Sequence, residues 1–215
     1  MRTFTRKHYG IIGIVFLFVA LLFCAYKLYF SWQFQKSYEI YATLSGGHVN
    51  AALLPAVGDN PIRQELNRML ADVLATQLGE RDRLARAERG LLLLNELEKQ
   101  IDAIGDSGES VSKALGEMEA RASGSERQEI VQLALERLRV IGDIRGLSYR
   151  ASYHTAEIFN RVIQDGGTLT AEYVAELNNQ IPLVEEQFDR RTGLYEELES
   201  IGGRIRHAEE ELSIF

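Results

Sequence analysis

The sequence predicts an all-α protein: a single N-terminal transmembrane helix followed by an elongated antiparallel helical bundle or coiled coil. Three observations lead there. Tyr9 to Tyr26 is an 18-residue run without a charge, close to the ~20 apolar residues that cross a bilayer. Only three prolines interrupt 215 residues, too few turn signals for a sandwich or barrel. Beyond the apolar run, Leu, Ile, Val and Ala recur at three-four spacing, the period of a helix with one buried stripe.

The chain divides into a basic N-terminus (1–8), the span (9–30), an aromatic stalk and linker (31–60) and an extracytoplasmic bundle (61–215). Within the anchor, Tyr9, Ile11, Phe16 and Leu21 face lipid, while Tyr26 and Trp32 belong to an aromatic cluster at headgroup level. Residues 1–36 hold five basic residues and no acid. The rest of the chain therefore carries 24 − 5 = 19 basic against 31 acidic residues, a net of −12. Arg2, Arg6 and Lys7 before the span outweigh Lys27 and Lys36 after it, so the N-terminus is expected in the cytoplasm of an inner (cytoplasmic) membrane. The C-terminal domain is then periplasmic or otherwise extracytoplasmic. Bulky Phe23 before Cys24 disfavours signal cleavage and lipoprotein processing, so the anchor is expected to be retained. The lone Cys24 rules out an intramolecular disulfide framework and reads as small apolar filler.

After the span, Phe34, Tyr38 and Tyr41 lie on one face of a continuing helix. Ser45-Gly46-Gly47 is expected to break it, leaving a loop over 45–60 whose apolar stretch includes Leu53, Leu54 and Val57. These six residues are the candidate partner contacts. Asn60-Pro61 suits a helix start, with Asn as N-cap and Pro at the first helical position. That helix is expected to run unbroken to Ile104, thinning to an alanine-lined stripe over Glu80–Gly90, and to stop at Gly105-Asp106-Ser107-Gly108. A short piece, Glu109–Ala122, follows. Ser125 and Gln128 form a capping box for the next helix, which Gly166-Gly167 ends. Thr170 caps the last helix. There Val174, Leu177, Ile181, Val184, Phe188, Tyr195, Leu198, Ile205 and Leu212 follow a near-heptad grid, interrupted by Arg191, Gly202 and Glu209. Long rods joined by short turns must run antiparallel. The short piece or the stalk supplies a fourth strand over part of the length.

No nucleophile motif, phosphate loop or dinucleotide fingerprint is present, so no enzyme and no cofactor is expected. His154-x-x-Glu157 and His207-x-x-Glu210 place imidazole and carboxylate on one helix face, but in the reverse of the order used by carboxylate-bridged bundle sites. Hairpin register also separates the two by about 38 Å at helical rise, so no metal is expected. The same register sets Tyr149, Arg150, Tyr153 and His154 level with Asn178, Asn179, Gln180 and the Pro182 kink, a candidate ligand cluster. Net charge −7 argues against nucleic acid.

Two functions fit this pattern. One is a membrane-anchored structural or scaffold subunit, its bundle contacting other membrane or periplasmic proteins or further copies of itself. The other is an extracytoplasmic sensor or regulatory module acting through a partner membrane protein, because a four-helix bundle beside a membrane helix resembles chemoreceptor ligand domains. The departure from that architecture is the C-terminus: Arg204, Arg206, His207 and Glu209–Glu211 stand where a second span would be needed.

Overall fold

The computed structural model describes residues 6–53, 60–75 and 77–213, with side chains placed outside 6–13, 178–185, 187–189 and 213. Among the described residues there are five helices: α1 (Arg6–Leu53), α2 (Pro61–Leu74), α3 (Glu80–Glu119), α4 (Ser125–Gln164) and α5 (Ala171–Ser213).

The first helix does not stop at Ser45-Gly46-Gly47. It continues to Leu53. A helical glycine costs only about 1 kcal/mol relative to alanine. Against that cost, Tyr41, Ser45, His48 and Ala52 all lie on one buried face of α1. Burial of the neighbouring side chains therefore carries the helix through both glycines. The same packing moves the start of the bundle back to Phe34, because Phe34 and Tyr41 are core residues with Tyr38 packed beside them. What reads as a stalk is the first strand of the bundle. Leu53 packs partly buried against this core, and Leu54 and Val57 lie outside the described residues.

Asn60 caps α2 as expected, its side-chain oxygen accepting from Ile62 N at 3.0 Å and Arg63 N at 3.3 Å. The long helix from Pro61 to Ile104 is not one rod, however. The chain turns after α2, with Ala75 extended (φ −69°, ψ 125°), and α3 starts at Glu80. Arg83 explains the break. Its guanidinium is buried and donates to Val73 O at 3.0 Å, Ala75 O at 2.8 Å and Gly167 O at 2.8 Å. One cation thus satisfies carbonyls at the end of α2 and in the α4–α5 turn, groups a helix terminus otherwise leaves unmet.

Nor does α3 stop at Gly105–Gly108. Those glycines are points of close approach: a Cβ at Gly105 would lie 2.6 Å from the Arg145 guanidinium, and one at Gly108 would lie 3.1 Å from the His48 ring. Glu109–Ala122 is accordingly not a separate piece; its buried Val111, Leu115 and Met118 are the last turns of α3. Ahead of them, the thin stripe of Glu80–Gly90 is a close contact, with Ala87 fully buried and Phe159 seated where a Gly90 Cβ would stand.

The cap of α4 also differs from expectation. Gly124, at φ 95°, occupies the N-cap position without a side-chain bond, and Ser125 is the first helical residue. Gly166-Gly167 ends α4 through bonds from Gly166 N to Ile163 O and from Gly167 N to Val162 O, at 3.1 and 2.8 Å, the Schellman pattern. Both glycines have positive φ, and a Cβ on Gly167 would collide with Glu80 O at 2.1 Å. Thr170 caps α5 by accepting from Tyr173 N at 3.2 Å.

The rods α3, α4 and α5 alternate in direction. Two different segments complete them as the fourth strand. Residues 34–53 of α1 close one core, with Ile104–Met118, Ile130–Ile144 and Leu198–Ala208. Helix α2 closes the other, with Ala87–Ile101, Phe159, Val162, Tyr173 and Leu177. Below Phe34, every residue from Ile14 to Tyr29 is exposed, and α1 from Ile14 onward contains an 18-residue window long and apolar enough to cross a membrane.

Candidate functional site

Two places gather polar chemistry: the foot of the bundle, where it meets the apolar part of α1, and its middle.

At the foot, Tyr26, Tyr29, Phe30 and Trp32 form a contiguous aromatic set, with ring centroids 4.5 to 6.3 Å apart. The α3–α4 turn and the end of α5 come down to meet it. Arg127 donates to Ser31 Oγ at 2.6 Å and its guanidinium lies 5.3 Å above the Phe34 ring. Arg121 donates to Ser37, and the Tyr38 hydroxyl donates to the Glu209 carboxylate. Burial, with Glu210 adding repulsion, raises the Glu209 pKa. A cavity of about 230 Å³ opens between Phe34, Tyr38, Arg127 and Glu209. Three elements are therefore pinned to α1 by hydrogen bonds within two or three turns of the exposed segment. Phe16, Leu21, Tyr26 and Trp32 are exposed there; the side chains of Tyr9 and Ile11 are outside the described set.

Among the described residues, the four residues of the predicted ligand cluster make separate contacts. Tyr149 donates to Asp102 on α3, a bond that raises its pKa, and Arg145 stacks 5.4 Å over its ring. Arg150 donates weakly to Gly146 O of its own helix at 3.4 Å. Tyr153 is 68% exposed, and His154 pairs with Glu157 at 3.8 Å. The side chains of Asn178, Asn179, Gln180 and Pro182, the opposing half of that cluster, lie outside the described residues.

One helical turn along α4 the middle of the bundle does hold a cavity, of about 60 Å³. Leu66, Leu94, Leu97 and Ile101 line it, together with Arg63, Asn67, Ser148, Ser152, Thr155 and Arg191. Burial, with the like charge of Arg63 adding to it, lowers the Arg191 pKa. Burial raises that of the neighbouring Tyr195 phenol, while both arginines pull it back down. The sequence signal for this site was the arginine standing on an otherwise apolar heptad grid. The other two grid irregularities also mark polar contacts. Gly202 leaves room for the Arg137 guanidinium, which reaches Ser45 at 3.3 Å, and Glu209 receives Tyr38.

Among the described residues, no three His, Cys, Asp or Glu side chains converge as a metal site would require. No known protein family, curated protein or solved structure matches the chain.

Proposed function

We propose that the protein is a single-pass membrane subunit whose helical bundle is a rigid structural element outside the cytoplasm, holding other membrane-associated proteins at a fixed distance from the bilayer. The observation that carries this reading is the continuity of α1. A single helix of 48 residues, about 72 Å at helical rise, is exposed from Ile14 to Tyr29 and contributes to the bundle core from Phe34 to Leu53. A helix that leaves the bilayer and enters a packed core without a hinge fixes the orientation of everything attached to it. Arg121, Arg127 and Glu209 brace the same joint from the α3–α4 turn, α4 and α5. The basic residues ahead of the span favour a cytoplasmic N-terminus.

The contact face follows from what the bundle leaves uncovered. Trp32, Ile40 and Leu44 remain exposed on the outer side of α1, continuous with Leu28 and Tyr29, and suit a neighbouring membrane subunit or a second copy of this chain. Carbonate washing should leave the full-length protein in vesicles, and a protease confined to the cytosolic face should spare residues 61–215. Purification in gentle detergent should recover a stoichiometric partner. Ile40→Glu with Leu44→Glu should release that partner with the bundle's unfolding temperature unchanged. Extraction by carbonate, or digestion of the bundle from the cytosolic side, overturns the reading.

A further inference from the structure

We propose that the groove at the foot of the bundle, between α1 and the start of α4, holds the phosphate of an anionic phospholipid. The site rests on the reading of α1 as a membrane span and adds a bound lipid to it. Two cations from distant parts of the chain line the groove. Lys27 is the first charge after the uncharged run Tyr9–Tyr26, and Arg127 arrives from α4. Ser31 stands four residues after Lys27, one helical turn and about 6 Å further along the same face of α1. Arg127 donates to Ser31 Oγ at 2.6 Å. The fold therefore sets the Arg127 guanidinium one turn above Lys27, at the level where the apolar segment ends.

Among the described residues, neither cation is paired with an acid. Lys27 Nζ lies 5.1 Å from the centre of the Phe23 ring. Arg127 donates to two neutral hydroxyls, Ser31 and, at 3.5 Å, Ser123, and lies over Phe34. By contrast, Arg86, Arg121, Arg145, Arg161 and Arg204 each meet a carboxylate. Glu126 also lines the groove, so one acid faces two cations and the site stays net positive. A phosphodiester without an ammonium group beside it complements that charge.

The order of the lining distinguishes a lipid from a free ion. Phe23 lies one turn below Lys27, Tyr26 and Phe30 flank the Lys27–Ser31 row on one side with their rings 4.5 Å apart, and Leu28 flanks it on the other. Ser31 and Ser123 supply hydroxyls at the bundle end. Carbon below, charge between and hydroxyls above is the sequence of groups in a phospholipid entering from the exposed part of α1. At about 520 Å³ the groove is in the range of sites that take organic ligands, too roomy for inorganic phosphate alone.

The full-length protein in a maltoside detergent is titrated with phosphatidylglycerol, phosphatidylcholine and inorganic phosphate. Native mass spectrometry counts bound lipid, and thermal unfolding is followed alongside. One phosphatidylglycerol per chain should be retained, about fivefold or more over phosphatidylcholine at equal mole fraction; inorganic phosphate should neither bind nor shift unfolding. Lys27→Gln should lower retention about fivefold and leave the lipid-free unfolding temperature unchanged. Arg127→Gln should lower it likewise, and Arg127→Lys should keep most of it. Lys36, over the Trp32 ring, is nine residues from Lys27 and so on the opposite side of α1; Lys36→Gln should bind as the parent does. Equal retention of the two lipids, an equal effect of inorganic phosphate, or a loss in Lys36→Gln as large as in Lys27→Gln overturns the proposal. In protein that resists carbonate extraction those results leave the membrane reading standing, whereas extraction by carbonate overturns both.

Discussion

The two ends of the bundle use the same three rods and differ in what completes them. Near the exposed apolar segment of α1 the fourth strand is the second half of that helix, and polar side chains stitch it to every neighbour: Ser31 to Arg127, Ser37 to Arg121, Tyr38 to Glu209, Ser45 to Arg137 and His48 to Ser107. At the far end the fourth strand is the short helix α2. Asn60 meets Gln100 and Asp72 meets Arg86, and among the described residues Arg83 is the side chain that ties α2, α3 and the α4–α5 turn together. Many small links hold the proximal core, and one buried cation organises the distal one. Damage at the distal end should therefore be concentrated at single residues, and at the proximal end it should be spread.

The largest expected effect comes from Arg83→Met. It keeps much of the apolar stem but leaves three carbonyls without their donor, a loss of about 2–4 kcal/mol. Urea unfolding should show the lower midpoint. Hydrogen exchange should rise first over Pro61–Leu74 and the start of α3, with Phe34–Leu53 still protected. Equal loss of protection at both ends would mean that the two cores unfold as one unit.

Smaller, and opposite in sign, is the effect of Gly46→Ala with Gly47→Ala. Neither glycine has any atom within 4 Å of an added Cβ, and both sit inside α1. Each alanine should stabilise by about 0.5–1 kcal/mol, read as a higher unfolding temperature of the full-length protein. Destabilisation would place a hinge at those positions, between the bundle and the apolar part of α1.

The smallest effect is confined to mildly acidic pH. Burial lowers the His48 pKa below its ordinary 6.5, and its Nδ1 lies 2.7 Å from Ser107 Oγ. The unfolded chain then binds a proton more readily than the native one. Stability is complete above pH 6.5 and is lost as pH falls through the depressed native value. The unfolding temperature should drop on going from pH 7.5 to 5.5, and His48→Gln should flatten that drop without changing exchange at the distal end.

The helical fold, the apolar N-terminal segment, the caps at Asn60 and Thr170, and the stop at Gly166-Gly167 were legible in the residues. These features depend on local period, side-chain caps and backbone freedom, all of which act within a few residues. The candidate sites were only partly legible. Arg191, Gly202 and Glu209 stood out as flaws in a heptad grid, but the Arg137 and Tyr38 that meet Gly202 and Glu209 come from other helices. Tyr149 gave no hint that it would meet Asp102 on α3.

Tertiary structure decided where the rods break. Gly46-Gly47 and Gly105–Gly108 resemble stops, yet the helices run through them, because about 1 kcal/mol per glycine is outweighed by the side chains buried on either side. Between Leu74 and Glu80 there is no proline, and the chain turns nonetheless, because a charged arginine nine residues beyond Leu74 finds its carbonyls only when α2 and α3 fold back to back. Sequence by itself set the length and polarity of the segments. Which segment became the fourth strand of each core depended on long-range burial, which no local window can weigh.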